Sequence, residues 1–289
     1  MKIYIRLVLG LMLFCPIFVN ADHPPGKNGF ITGAGAHFSW VVMDALQPIL
    51  EEASGSKLKL YGQASMLGSG CNAGIKLALE NKPGDETFGF VCCPLSDEEI
   101  SKKKLRVFPL AIEPILIIVN RNNPITNLSI QQVRDIFKGE ITNWKEVGGL
   151  DQPIVTVNRL HCSNRPGHWK TILKSKKDFS EKRLNVKSAD AMVKRVNDFP
   201  SAIGHTGSAW AFKPGDKVKS ITVNNIRATA ETLKSGKYPF HRQLSIVTDQ
   251  KPSHSILKII STAQEELATH PVAKKYNLLP SGVGEYKLQ

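Results

Sequence analysis

FITGAGAHFSWVVMDALQPILEEA, residues 30–53, sets the pattern that the rest of the chain repeats. Phe30-Ile31-Thr32 is extended, Gly33-Ala34-Gly35-Ala36 is a turn, and Phe38, Val42, Leu46, Ile49 and Ala53 fall on one face of a helix. Pro48 is expected to kink that helix, because it lacks an N–H and crowds the preceding turn. Working outward, Lys57 to Tyr61 alternates like a strand, and a glycine-rich turn holds Gly68 and Gly70. Asn72 to Glu80 then reads as a helix stopped near Pro83, and Phe88 to Cys92 as a short apolar strand. Ser96-Asp97-Glu98-Glu99 has the form of a capped helix start with acidic residues at its positive end. Strands alternating with helices predict a parallel α/β sheet.

The second half continues the alternation. Ala111 to Val119 is an almost unbroken apolar run, of the kind buried on both faces. Ser129 caps a helix through Phe137, Ile154 to Val157 is a strand ending at Arg159, and His161-Cys162-Ser163-Asn164-Arg165 is a polar loop. Ala202-Ile203-Gly204 and Arg242 to Thr248 are further strands, and Ser255 to His270 is the last helix. Trp144, Trp169 and Trp210 read as core or hinge packing, with Trp40 unassigned.

The N-terminus carries Lys2 and Arg6, an apolar run from Leu7 to Val19, and Val19-Asn20-Ala21 before Asp22. That order is the one a secretory signal peptide has, with cleavage after Ala21, so residues 1–21 are assigned to it. The run is short of the roughly 20 residues a membrane span needs. Leu13-Phe14-Cys15-Pro16 lacks the small residue that precedes a lipidated cysteine, which excludes a lipoprotein reading of Cys15. The full chain of 289 residues has a net charge of +13, which falls to +11 when Lys2 and Arg6 leave. Such a charge favours anionic partners. Nucleic acid is excluded, because Lys102-Lys103-Lys104, Lys174 to Lys177 and Lys274-Lys275 are scattered solvated faces with no aromatic platform between them. Four cysteines remain after cleavage, Cys71, Cys92, Cys93 and Cys162, and in an oxidising compartment they allow three disulfide pairings.

Several blocks carry a resemblance. Gly33 to Phe38, Pro94-Leu95-Ser96-Asp97-Glu98, Asp135 to Trp144 with Val147-Gly148-Gly149, and Gly236 to Arg242 resemble the periplasmic phosphate-binding proteins of ABC transporters, in order and over about residues 28–280. The resemblance implies a two-lobed type II periplasmic binding fold with a ligand cleft between lobes. Lobe 1 would be 28–112 plus 241–289, and lobe 2, inserted into it, 113–240. Ala111 to Val119 and Arg242 to Thr248 would be the hinges, closure the signal read by a membrane partner, and the protein a monomer with no catalysis and no cofactor.

In that family the anion is held by short polar side chains, backbone N–H groups and one arginine. The resemblance carries Phe38, Arg159 and Ser163 into the site, together with His37, Asn164 and Arg165 beside them. The sequence departs from the pattern around them: His37 replaces a threonine, Cys71 a serine, Cys92 a carboxylate and Cys162 a glycine, and Ser163-Asn164-Arg165 stands for a Ser-Gly-Thr loop. Cys93, next to Cys92 on a strand, is expected to face the other way. A thiol is a poor acceptor for a protonated oxyanion, whereas three thiols in one cleft suit a thiophilic ligand. The expectation is that Cys71, Cys92 and Cys162 bind arsenite, with Cys71 acidified by its helix N-terminus and Arg159. Exported relatives that feed sensor histidine kinases of arsenic metabolism fit that reading, and an ABC permease is the other partner the resemblance implies. The alternative is phosphate or arsenate held by Arg159, Ser163, Arg165 and backbone amides, with the cysteines incidental or paired. His37 and His161 have no CxxC or HxxxH spacing to mark a copper or zinc site. Cys162 beside His161 is no hydrolase dyad, since loop neighbours point apart and no third residue orients them.

Overall fold

The computed structural model describes residues 29–36, 38, 41–60, 70–162, 165–210 and 215–282. The signal segment, His37, Trp40, Ser163 and Asn164 lie outside the described residues. The chain opens with β1 (Phe30–Gly35), α1 (Met43–Ser54), β2 (Lys57–Leu60), α2 (Cys71–Leu79), β3 (Thr87–Val91) and α3 (Asp97–Lys103). Pro48 lies inside α1, as its sequence position requires. Ser96 caps α3 by accepting from the Glu99 N–H, and all three acidic residues of that first turn sit at the positive end of the helix.

The strand β4 (Arg106–Asn120) is longer than the apolar run Ala111 to Val119 suggests. It is followed by β5 (Asn127–Leu128), α4 (Ile130–Lys138), β6 (Val155–Asn158), β7 (Leu184–Asn185), α5 (Ala189–Asp198) and β8 (Ala202–Gly207). The chain ends through β9 (Val218–Ser220), β10 (Thr222–Val223), α6 (Ala230–Lys234), β11 (His241–Thr248), α7 (His254–Leu267), α8 (Pro271–Lys275) and β12 (Leu279–Pro280). A full capping box of Ser129 and Gln132 starts α4, and Ser253 caps α7.

The main sheet runs β2-β1-β3-β11-β4-β8-β6-β7. Its two flanks are parallel, β2-β1-β3 on one side and β8-β6-β7 on the other. Between them β11 and β4 run antiparallel to their neighbours. The parallel expectation therefore holds for the flanks and fails for the two strands that join them. Residues 106–114 of β4 pair with β11, and residues 115–119 pair with β8, so one strand belongs to both flanks. Length is what allows this: 15 residues at about 3.3 Å each reach from one flank into the other.

The two largest apolar cores among the described residues follow that division. Leu46 and Leu50 of α1 pack with Ile256, Ile259 and Ile260 of α7 over Phe88, Phe90 and Ile246. Val133, Ile136 and Phe137 of α4 pack with Trp144, Tyr238 and Phe240 over Ile115 and Ile117. Each buried aliphatic side chain contributes about 1.5–3 kcal/mol by area, which makes each core a separate source of stability.

Candidate functional site

Glycine brings the first thiol into place. An added Cβ on Gly89 of β3 would lie 1.9 Å from the Gly74 carbonyl oxygen of α2, so helix and strand meet backbone to backbone. This sets the N-terminus of α2, with Cys71 as its first residue, against the end of β3. There the Cys92 N–H donates to Cys71 Sγ at 3.2 Å, and the two sulfurs are 3.7 Å apart.

Cys93 corrects the sequence reading. β3 stops at Val91, so the pleat that would alternate Cys92 and Cys93 across a sheet has already ended. Both side chains turn into the same space, and Cys93 Sγ lies 2.6 Å from Cys162 Sγ and 3.5 Å from His161 Nε2. The sulfurs that converge are those of Cys71, Cys93 and Cys162, all within 4.8 Å of one another; Cys93 takes the place expected for Cys92. Cys92 belongs instead to a group with Cys93 and His161. All four cysteines are free thiols.

The opposing loop follows β6. Cys162 has φ 59, a left-handed conformation uncommon outside glycine, asparagine and aspartate, and from it the thiol reaches Cys93. Trp169 anchors the loop by donating Nε1–H to the His161 carbonyl at 2.7 Å, which gives this tryptophan a positioning role beyond packing. Mutual hydrogen bonding among the thiols separates their acidities. Bonds from Cys71 and Cys93 draw Cys162 down to about 4. Cys162 pushes Cys71 up, but Cys92 and Cys93 draw it down to about 7, and Cys93, which serves the others, is pushed up.

Three arginines surround this cluster and differ in their partners. Arg242 is gripped by the fully buried Glu113, Nε to Oε2 at 2.5 Å, while Glu113 Oε1 accepts from the Ala209 N–H at 2.7 Å. Gly207 makes room for the pair, since a Cβ there would come within 2.5 Å of both carboxylate oxygens. Burial opposes the Arg242 charge, but Cys92 and Glu113 more than offset it, and its pKa is raised. Arg165 is not aimed at a ligand, contrary to expectation. Its Nε donates to Glu99 Oε2 at 2.6 Å, its Nη1 to Asn72 Oδ1 at 2.6 Å, and its Nη2 to Glu99 Oε1. Arg159 is buried too, yet among the described residues its side chain makes a single hydrogen bond, Nε to the Lys187 carbonyl at 3.2 Å. Burial lowers its pKa, with the Cys92 charge acting against that.

His168 and His205 were not singled out from the sequence. They are buried and joined, Nε2 to Nδ1, at 2.9 Å, and Arg242 Nη1 lies 3.3 Å from His168 Nδ1. Burial holds His205 at about 3 and His168 well below its usual value, so both are neutral. A cavity of about 10 Å³, room for one water, lies between Phe38, Arg159, His168, His205 and Arg242. A wider groove of about 400 Å³ reaches Cys92, His168 and Arg242 from the side of Lys170 and His241. The one sequence signal for this region was Glu113, a carboxylate inside an otherwise apolar strand.

A buried guanidinium at a helix-terminal cleft between two α/β cores is the arrangement of a solute-binding protein, and residues 22–270 match the PBP superfamily domain, so the chain belongs to that superfamily. Its relatives narrow the class to phosphate-binding proteins. It is 31% identical to the phosphate-binding protein PstS of Bacillus subtilis over 228 residues, covering 76% of this chain and 71% of that one. It is 32% identical to PstS of Borreliella burgdorferi over 166 residues, 54% of this chain, and spans 59% of the length of that relative. Among solved structures, a substrate-binding protein with bound phosphate from Clostridium perfringens superposes with a TM-score of 0.71 at 23% identity, covering 87% of this chain and 99% of that one. An ABC-type phosphate transport receptor from Vibrio cholerae gives 0.64 at 25% identity, covering 87% and 100%. The fold is the two-lobed one, with the cleft between lobes.

Proposed function

We propose that this chain is an exported solute-binding protein that closes on one small tetrahedral oxyanion of the phosphate class and delivers it to an ABC permease, with no catalysis of its own. The observation that carries the reading is Arg159, a desolvated cation with most of its donors unengaged among the described residues. A buried guanidinium without a carboxylate is stabilised by an anionic ligand that accepts from its fork. The likeness to phosphate-binding proteins of the same architecture supports this choice over the thiophilic one. Residues 113–240 form the inserted lobe in this reading, with residues 28–112 and 241–289 forming the other. The one-water cavity requires the lobes to part before a four-oxygen anion enters. The resemblance assigns Ser163 and Asn164, close to Arg159 in sequence, to the anion's shell, and His37 and Phe38 to its other wall. Among the described residues no helix is long and apolar enough to cross a membrane.

A second reading is favoured by the convergence of Cys71, Cys93 and Cys162. Arsenite takes three thiolates, and a binding protein of that kind would report to a sensor histidine kinase instead of a permease. Isothermal calorimetry on the reduced protein separates the two. Under the oxyanion reading phosphate binds, and Arg159→Ala weakens it by about 1.5–4 kcal/mol through loss of a charge-assisted pair. Phosphate binding that survives Arg159→Ala, beside arsenite binding that disappears with Cys93→Ser, would overturn it.

A further inference from the structure

The thiols and His161 contain a grouping that neither ligand above uses. Cys92 Sγ, Cys93 Sγ and His161 Nε2 lie within 4.8 Å of one another, with Cys93 to His161 at 3.5 Å. Three ligands around a trigonal centre with metal–sulfur bonds of about 2.3 Å stand about 4 Å apart, so one ion can reach all three.

Each outer ligand is also oriented from behind. His161 Nδ1 lies 3.2 Å from the Arg159 carbonyl oxygen, which can only accept. Nδ1 therefore carries the proton, and Nε2 presents its lone pair towards Cys93. Cys92 Sγ accepts from Arg242 Nη1 at 3.3 Å, and Glu113 fixes that arginine in turn. Such outer partners set the tautomer of a ligating histidine and the direction of a ligating thiolate. Ligand number and softness select among metals: a closed zinc site takes four ligands, whereas this group offers three. Two sulfurs and one imidazole are soft donors. His161 is only half-buried, which gives the ion a route in.

We propose that Cys92, Cys93 and His161 form a three-coordinate site for a soft monovalent cation, copper(I), in the same cleft as the oxyanion site and independent of it. The test is titration of the purified, reduced protein with copper(I) in competition with bicinchoninate, a chromophoric chelator. One equivalent is expected to bind, and Cys92→Ser, Cys93→Ser and His161→Ala are each expected to weaken it at least tenfold. Circular dichroism on each variant separates lost ligands from lost fold. Cys71→Ser, outside the three ligands, is expected to keep copper. Copper binding that survives His161→Ala but vanishes with Cys71→Ser would overturn the assignment, as would zinc(II) displacing copper(I) at equal concentration. Because His161 is held by the backbone of Arg159, Arg159→Ala is expected to remove phosphate and leave the copper stoichiometry, so the two proposals fail separately.

Discussion

Two buried guanidinium groups that line one small cavity make an instructive pair. At the crossing of β4 and β11, Arg242 meets the fully buried Glu113, and the backbone N–H of Ala209 takes the second carboxylate oxygen. In the same cavity lining, Arg159 has only the Lys187 carbonyl among the described residues. The first charge is matched within the protein and fixes how the strands cross. The second has no such match among the described residues, and under the proposed function that difference separates an arginine of the architecture from one that meets the ligand.

Stability measurements can break this contrast most forcefully. In urea, Arg242→Met is expected to lose about 3–5 kcal/mol by stranding a buried carboxylate, and combining it with Glu113→Leu is expected to recover most of that. Arg159→Met, which removes a cation with no acidic partner among the described residues, is expected to leave stability within about 1 kcal/mol or raise it. Equal losses at the two positions would erase the distinction.

A smaller effect sharpens it through pH. His168 and His205 are neutral in the folded protein because burial holds their pKa values down, His205 at about 3. An unfolded histidine near 6.5 takes up its proton first, so stability is complete above about pH 6.5 and is lost as pH falls towards 3. At pH 5 His205 alone accounts for about 2 kcal/mol, with His168 adding in the same direction. His205→Phe is expected to flatten that part of the pH profile of the urea midpoint; a slope that persists would assign the loss to other groups.

The smallest expected signal is chemical. Cys162, held at about 4 by its bonds to Cys71 and Cys93, remains a thiolate down to about pH 5. Alkylation by iodoacetamide at Cys162 is expected to stay nearly level between pH 8 and 6, where an ordinary thiol near 8.5 slows about tenfold per unit. Peptide mapping reads the two rates side by side, and a tenfold slowing at Cys162 would contradict this acidity.

Local chemistry made most of the framework legible. Ser96 and Ser129 cap their helices because short hydroxyl side chains reach N–H groups two or three residues on, and that rule needs no tertiary information; the last helix, read from Ser255, starts at His254 behind a Ser253 cap. The site was legible only where a residue's neighbours in sequence decide its direction. Cys93 was placed on the wrong side because alternation was carried two residues past the end of β3. Arg165 was given to the ligand because nothing near it in sequence shows Glu99, 66 residues away, within reach. The His168–His205 contact spans 37 residues and depends on how β8 lies against the loop after β6, which no periodicity encodes.

The Arg165 fork has a further consequence for timing. It joins the loop after β6 to Asn72 and Glu99 on α2 and α3, using the protein's own charges and no cargo. A clasp of this kind makes the shut shape accessible to the empty molecule, so ligand capture need supply less of the free energy of shutting. On the proposed closure of two lobes, the same clasp is undone at every release, so exchange follows how fast Arg165 lets go of Glu99.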